Sequence, residues 1–461
     1  MRRHHHLFGF SFWFFFLLTT IFLSGCAGSS LFTSYPRQMA DIRPLLDSPA
    51  PQQAVPRLSA GLNGNDALLY AQEAGRSVQI AGDFQHSKRL FNQAIADYQR
   101  EDGRAYISLS ALGANSGAVL LNDNAIPYHG NPFERIMLHQ YQALNYLFDK
   151  DMPGALVEVR RAGELQALTA ERYANSQPAQ DINNGQVNAQ LARLTEASDE
   201  RNNLLNAYSY TLTGLIYALA NQPNDAFIDY RKAIRLSPDN AFLQRALLQL
   251  AQQLGMPEYR QWQSLWPTAA NYLQHQPPRH KNGHLIMLYE QGFIPAKQAF
   301  TVPFRVDNYW QSIALPTYAT PLTPAPLPQV SGLPQPLVLA PLVDLAPLAI
   351  TALREQLPAI WLRQASRAYA KAQINQQSAR QTDLLAVASQ IANLVSEQAD
   401  RRSWLSLPRQ VGIAEQSLPP GQYQVQFTRQ QAQTITVSPG KTTLVWAMNT
   451  GNYTHFYSII I

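Results

Sequence analysis

Residues 207–240 read AYSYTLTGLIYALANQPNDAFIDYRKAIRLSPDN. Gly214, Ala226 and Ala233 are small where two antiparallel helices would touch, and Tyr210, Tyr217 and Tyr230 fill the space around them. Gln222-Pro223-Asn224-Asp225 supplies the turn, and Pro238 ends the second helix because it has no N–H to donate. One such hairpin cannot bury its own apolar stripe, so further copies must stack against it.

Two more copies are visible. Residues 68–101 place Gly75, Ser87, Phe91 and Ala94 in the same frame around a Gly82-Asp83 turn. Residues 136–169 do so with Ala143, Tyr146, Ala155 and Ala162 around Asp151-Met152-Pro153-Gly154. Between them, residues 102–135 carry Gly103, Gly113, Gly117, Pro127, Gly130 and Pro132, the composition of a partial helix followed by an inserted loop. Residues 175–203 read as a polar helix, and residues 242–254 as an amphipathic one with Leu243, Leu247, Leu250 and Leu254 on one face. The spacing resembles the tetratricopeptide (TPR) pattern, departing from it at Thr213, where a larger apolar residue is usual. That resemblance implies a helical solenoid that binds other proteins. Its concave surface would present Gln72 and Arg76 from the first unit, Gln140, Leu144 and Phe148 from the third, and Tyr208, Thr211, Leu215 and Leu219 from the best one. Such a surface is either a peptide groove or a seat for an adjacent helix.

The N-terminus is a separate matter. Arg2 and Arg3 precede an apolar run over residues 7–23, and Leu23-Ser24-Gly25-Cys26 places small residues before the chain's one cysteine. This resembles the lipobox of bacterial lipoproteins. The resemblance implies a signal peptide over 1–25, a lipidated, palmitate-bearing Cys26, and a tether over 26–66. Ala27 rather than aspartate after the cysteine implies the outer membrane, facing the periplasm. With one cysteine no intramolecular disulfide can form. The net charge of +5 includes the two leader arginines, and no lysine-arginine cluster stands out elsewhere, so nucleic acid is not an expected partner.

From Gly283 the apolar period changes to that of strands. Residues 284–290, 293–305, 309–315, 411–418, 422–428, 433–438 and 442–448 read as strands, with Tyr423, Val425 and Phe427 alternating as a half-buried strand requires. The proline-rich stretch 317–341 is a linker or an extended crossing strand. Residues 345–371, kinked at Pro358, and 382–398 read as helices. The expected fold is α+β: a TPR-like solenoid over 67–265, then a β-sheet or sandwich domain over 283–461 with a helical insertion at about 345–400. Leu288-Tyr289-Glu290-Gln291-Gly292-Phe293, the helix at 367–371 and Arg402-Ser403-Trp404-Leu405-Ser406-Leu407-Pro408 resemble an uncharacterised family of TPR-bearing envelope lipoproteins. The family has no assigned activity, and the resemblance implies work in the cell envelope.

Chemistry is sparse. His280, His284 and Glu290 would hold zinc only with both imidazoles on one helix, and Asn282-Gly283 lies between them, so they read as solvent-facing linker histidines. Glu290 reads as a strand-end charge or a partner for Lys297. No Gly-x-Ser-x-Gly elbow, His-Glu-x-x-His pair or phosphate-binding glycine loop is present, and no cofactor is expected. The expectation is a non-enzymatic scaffold or regulator of envelope assembly with a protein partner. The alternatives are a cell-wall binding or processing protein, with Trp404 and Trp446 facing glycan, and an accessory lipoprotein of secretion or polysaccharide export.

Overall fold

The computed structural model describes residues 33–108, 123–174, 182, 184–198, 205–277, 280–306, 309–320, 322–378, 398–427 and 430–461. The leader, Cys26, residues 109–122 of the stretch 102–135 and residues 382–397 of the helix expected over 382–398 lie outside the described residues. Short turns α1 (Tyr35–Ala40), α2 (Arg43–Leu46) and α3 (Val55–Leu58) lead into α4 (Ala67–Ile80), α5 (Phe84–Ser108), α6 (Pro132–Phe148), α7 (Met152–Ala174) and α8 (Gly185–Ala197). The helices continue as α9 (Ala207–Leu219), α10 (Pro223–Leu236), α11 (Ala241–Leu254), α12 (Tyr259–Leu265) and α13 (Pro267–Gln274).

Three TPR-like hairpins, α4–α5, α6–α7 and α9–α10, share one internal geometry. Gly75 lies against the Phe91 ring and Gly214 against Tyr230, so close that a Cβ would come within 2.4 and 2.7 Å of ring carbons. In α6–α7 the corresponding places hold Ala143 and Val159, both fully buried: a smaller partner leaves room for the extra methyl. Each hairpin turns through a left-handed residue seven positions after the small one: Gly82 (φ 86), Lys150 (φ 63) and Asn221 (φ 56). Asn206 and Asn240 cap the next helices, accepting from Ser209 N–H at 3.3 Å and Leu243 N–H at 3.1 Å.

The strands are β1 (Gly283–Gln291), β2 (Gln298–Val306), β3 (Tyr309–Thr317), β4 (Gln329–Ser331), β5 (Leu337–Val338), β6 (Ala340–Asp344), β7 (Gln410–Leu418), β8 (Gly421–Phe427), β9 (Gln433–Val437), β10 (Thr442–Asn449) and β11 (Thr454–Ile460). A five-stranded sheet has the order β11-β10-β1-β7-β6, with β1 parallel to β10 and antiparallel to β7. A second sheet, β5-β4-β8-β9, covers one face of it, and β2–β3 form a separate hairpin. Side chains alternate across β1 and β10. Leu285, Met287, Tyr289, Val445 and Ala447 enter the core between the sheets, while Ile286, Leu288, Leu444, Trp446 and Met448 join the core of the helical array. The unbroken apolar run of β1 follows from this, because both of its faces are covered.

Helix α14 (Leu345–Ser378) runs through Pro358 and packs on β3 and α8. It returns to the repeats: Arg367 donates to Asp123 Oδ1 at 2.9 Å, and Arg354 to Ser198 Oγ at 2.9 Å. The proline-rich stretch contributes β4 and leads into β5 and β6, an extended crossing. β11, which no sequence signal marked, completes the sheet edge.

Candidate functional site

One face of the helical array is occupied by the chain itself. Residues 402–407 lie along it, turning at Leu405–Ser406, held through their main chain by buried carboxylates. Glu73 of α4 accepts from Leu405 N–H at 2.7 Å and Ser406 N–H at 3.1 Å. Glu134, in the first turn of α6, accepts from Trp404 N–H at 3.0 Å while also reaching back to Asn131 N–H at 3.1 Å. Arg402 ends the segment with bonds to Asp66 Oδ1 at 2.7 Å, Asp123 O at 2.9 Å and Ile126 O at 2.8 Å. Trp404 is the anchor, fully buried, with Phe91 and Tyr141 edge-on at 5.9 and 5.8 Å and its indole N–H donated to Ser406 Oγ.

A second contact comes from the sheet. Trp446 stacks on Tyr141 with ring centroids 6.1 Å apart and tilts against Phe148 at 5.7 Å, and its indole N–H donates to Glu290 Oε1 at 3.0 Å. Glu290 forms a buried ion pair with Arg76, whose guanidinium also lies over the Tyr141 ring at 4.1 Å. Burial raises the Glu290 carboxyl above its ordinary value, and the Arg76 charge opposes this. Burial likewise pushes the Glu73 carboxyl up to about 7, against the hydrogen bonds from Ser406, Leu405 and Tyr35.

The nine candidate groove residues are therefore not an empty surface. Arg76 and Phe148 meet the sheet directly, and Tyr208, Leu144 and Leu215 are buried in the shared core. Three polar members bond within the array: Gln72 donates to Tyr98 Oη at 3.2 Å, Gln140 to Ser209 Oγ at 2.7 Å, and Thr211 to Ala207 O at 2.7 Å. Leu219 is half-buried at the C-terminal end of α9. The physical reason is area: this many aromatic and aliphatic side chains on one face are stable in water only when covered, and the C-terminal half covers them.

Other expectations change in the same way. Trp404 and Trp446, offered as glycan-facing, are fully buried. Glu290 pairs with Arg76 rather than Lys297, whose ammonium donates to Arg402 O at 2.9 Å. His284 lies on β1 and bonds Glu415 Oε2 at 3.0 Å, and Arg245 bonds the other oxygen at 2.7 Å. Burial acts to raise the Glu415 carboxyl, but His284 and Arg245 outweigh it and hold it low. Among the described residues no group of three His, Cys, Asp or Glu side chains has a metal-holding arrangement.

No protein family matches the chain, and no curated protein sequence matches it. Among solved structures, "MamA 41-end from Desulfovibrio magneticus RS-1" is 14% identical and covers 53% of this chain and 97% of its own length, with a TM-score of 0.29. "Crystal structure of MamA protein" is 10% identical over 54% of this chain and 99% of its own, also at 0.29, and "MamA MSR-1 C2" is 13% identical over 52% and 97% at 0.26. Likeness at those TM-scores carries no functional weight.

Proposed function

We propose that the chain is a non-enzymatic protein-binding scaffold or regulator of the bacterial cell envelope, tethered to the outer membrane by lipid on Cys26 and facing the periplasm. The observation that supports a binding role is the covered face of the helical array. Buried carboxylates there hold a run of main-chain N–H groups, and an aromatic anchor fills the space between helices, contacts that a segment of polypeptide supplies. Here the occupant is residues 402–407 of the same chain, so the array braces the β domain and a protein partner meets other surfaces. The anchor reading is supported by the leader, the small residues before Cys26 and the absence of any other cysteine. The burial of Trp404 and Trp446 removes the aromatic platform on which the cell-wall-binding alternative rested.

The test is photo-crosslinking in intact cells with the lipidated protein. Crosslinkers belong at exposed apolar positions outside the groove, such as Leu168, Ile228 and Leu265. A dominant adduct with one other protein is the expected result. Purified protein that instead retains on glycan and yields no protein adduct would overturn the reading. Acylation of Cys26, read by intact mass and abolished in Cys26→Ser, tests the anchor separately.

A further inference from the structure

A cleft of about 490 Å³ opens where the N-terminal segment, the β2–β3 hairpin and the segment approaching Trp404 come together. Its lining includes Thr33, Ser34 and Arg37 at the start of the described chain, Thr301 of β2, Ala314 of β3, and Arg401. The arginines are unlike their neighbours. Arg402 is paired with Asp66 and Asp400, and Arg409 with Asp344. Among the described residues neither Arg37 nor Arg401 has a carboxylate partner, and the nearest acid in sequence, Asp400, is already bonded to Arg402 at 2.7 Å. Arg401 is half-buried, and burial pushes its guanidinium below the usual value with no opposing charge to offset it.

Two guanidinium groups and three hydroxyls thus line a cleft with no carboxylate among its described lining residues. A guanidinium taken partly out of water is stabilised by an oxyanion that accepts several of its N–H groups. We infer that this cleft is an anion site for a phosphate group, with Arg37 and Arg401 as charged donors and Thr33, Ser34 and Thr301 as neutral ones. Its expected occupant is the phosphate of an anionic lipid headgroup. Thr33 lies seven residues beyond Cys26, a reach of at most about 25 Å of extended chain, so an anchored chain holds the cleft near the membrane surface. The lipid source rests on the anchor reading, whereas the anion site does not.

The experiment uses the full chain extracted from membranes, with intact mass reporting the acylation of Cys26. The readout is amide hydrogen exchange over residues 33–41 and 398–402. The probes are inorganic phosphate and nanodiscs of phosphatidylcholine with or without phosphatidylglycerol. Exchange should slow about tenfold when the probe stands at about ten times its dissociation constant. The slowing should need phosphatidylglycerol, vanish in Arg37→Ala and Arg401→Ala, persist in part in Arg401→Lys, and be unchanged in Arg260→Ala, an exposed arginine on α12. Slowing by inorganic phosphate alone, lost in the same variants, keeps the anion site and overturns the lipid source. An unacylated chain that still responds to phosphate overturns the anchor and leaves the site standing. No slowing with either probe overturns the site.

Discussion

Single residues show where the chain departs from its own repeat and where burial governs charge. Lys150 takes the left-handed turn that Gly82 and Asn221 take in the other hairpins, yet lysine lacks both the freedom of glycine and the short polar side chain by which asparagine tolerates that region. Lys150→Gly should therefore stabilise the fold by about 0.5 to 1 kcal/mol in urea denaturation; an unchanged or lower midpoint would count against a strained turn. Glu73 makes a statement about pH. Its carboxyl rises from the usual 4.5 to about 7, so between those values the folded chain keeps a proton that the unfolded chain has released. Its contribution to stability is thus present below about pH 4.5, declines as pH rises to 7, and is constant above. Glu290, raised by burial for the same reason, adds a slope of the same sign. Glu73→Gln should flatten the stability profile over that window by on the order of 3 kcal/mol, and a profile parallel to the parent's would refute the assignment. None of this was readable in the sequence, where Glu73 is one acid on a helix and Glu290 an acid at a strand end.

Between elements, the contacts that define the hairpins are local and the ones that fill the groove are not. Gly214 and Tyr230 are sixteen residues apart on two helices joined by a tight turn, so helical geometry alone brings them together. Gly214→Ala should cost about 1 to 3 kcal/mol by overpacking. Adding Tyr230→Val, which reproduces the Ala143 and Val159 pair of α6–α7, should recover part of that loss, and simple additivity in the double-mutant cycle would contradict the shared geometry. The segment that meets Glu73 and Glu134 behaves differently. Trp404 reaches Phe91 across more than 300 residues of chain, and no spacing rule encodes that encounter. Trp404→Ala should cost about 3 to 5 kcal/mol, and a loss below 1 kcal/mol would mean that the segment is only laid against the array. β11 escaped notice for a related reason: as an edge strand most of its side chains are only partly buried, so its apolar alternation is weak.

For the whole molecule, one core joins the helical array to the five-stranded sheet, since Trp404, Trp446, Leu288 and Ile413 belong to the same buried cluster as Phe91, Tyr141 and Leu215. Two halves that share a core should unfold together. Far-ultraviolet circular dichroism, dominated by the helices, and tryptophan fluorescence should therefore trace coincident urea transitions. Separated midpoints would show that residues 67–265 and 283–461 fold as independent units. By itself the sequence determined the hairpins, their small and aromatic contact positions and the change to strands near Gly283, because each follows from periodicity and turn chemistry within a few dozen residues. Only the tertiary structure decided what covers the apolar face of the helices, which acid meets Arg76, and that both tryptophans point inward. Those outcomes depend on long-range packing, where the apolar area of one half is matched by the other and buried charges are tolerated only because partners distant in sequence arrive to bond them.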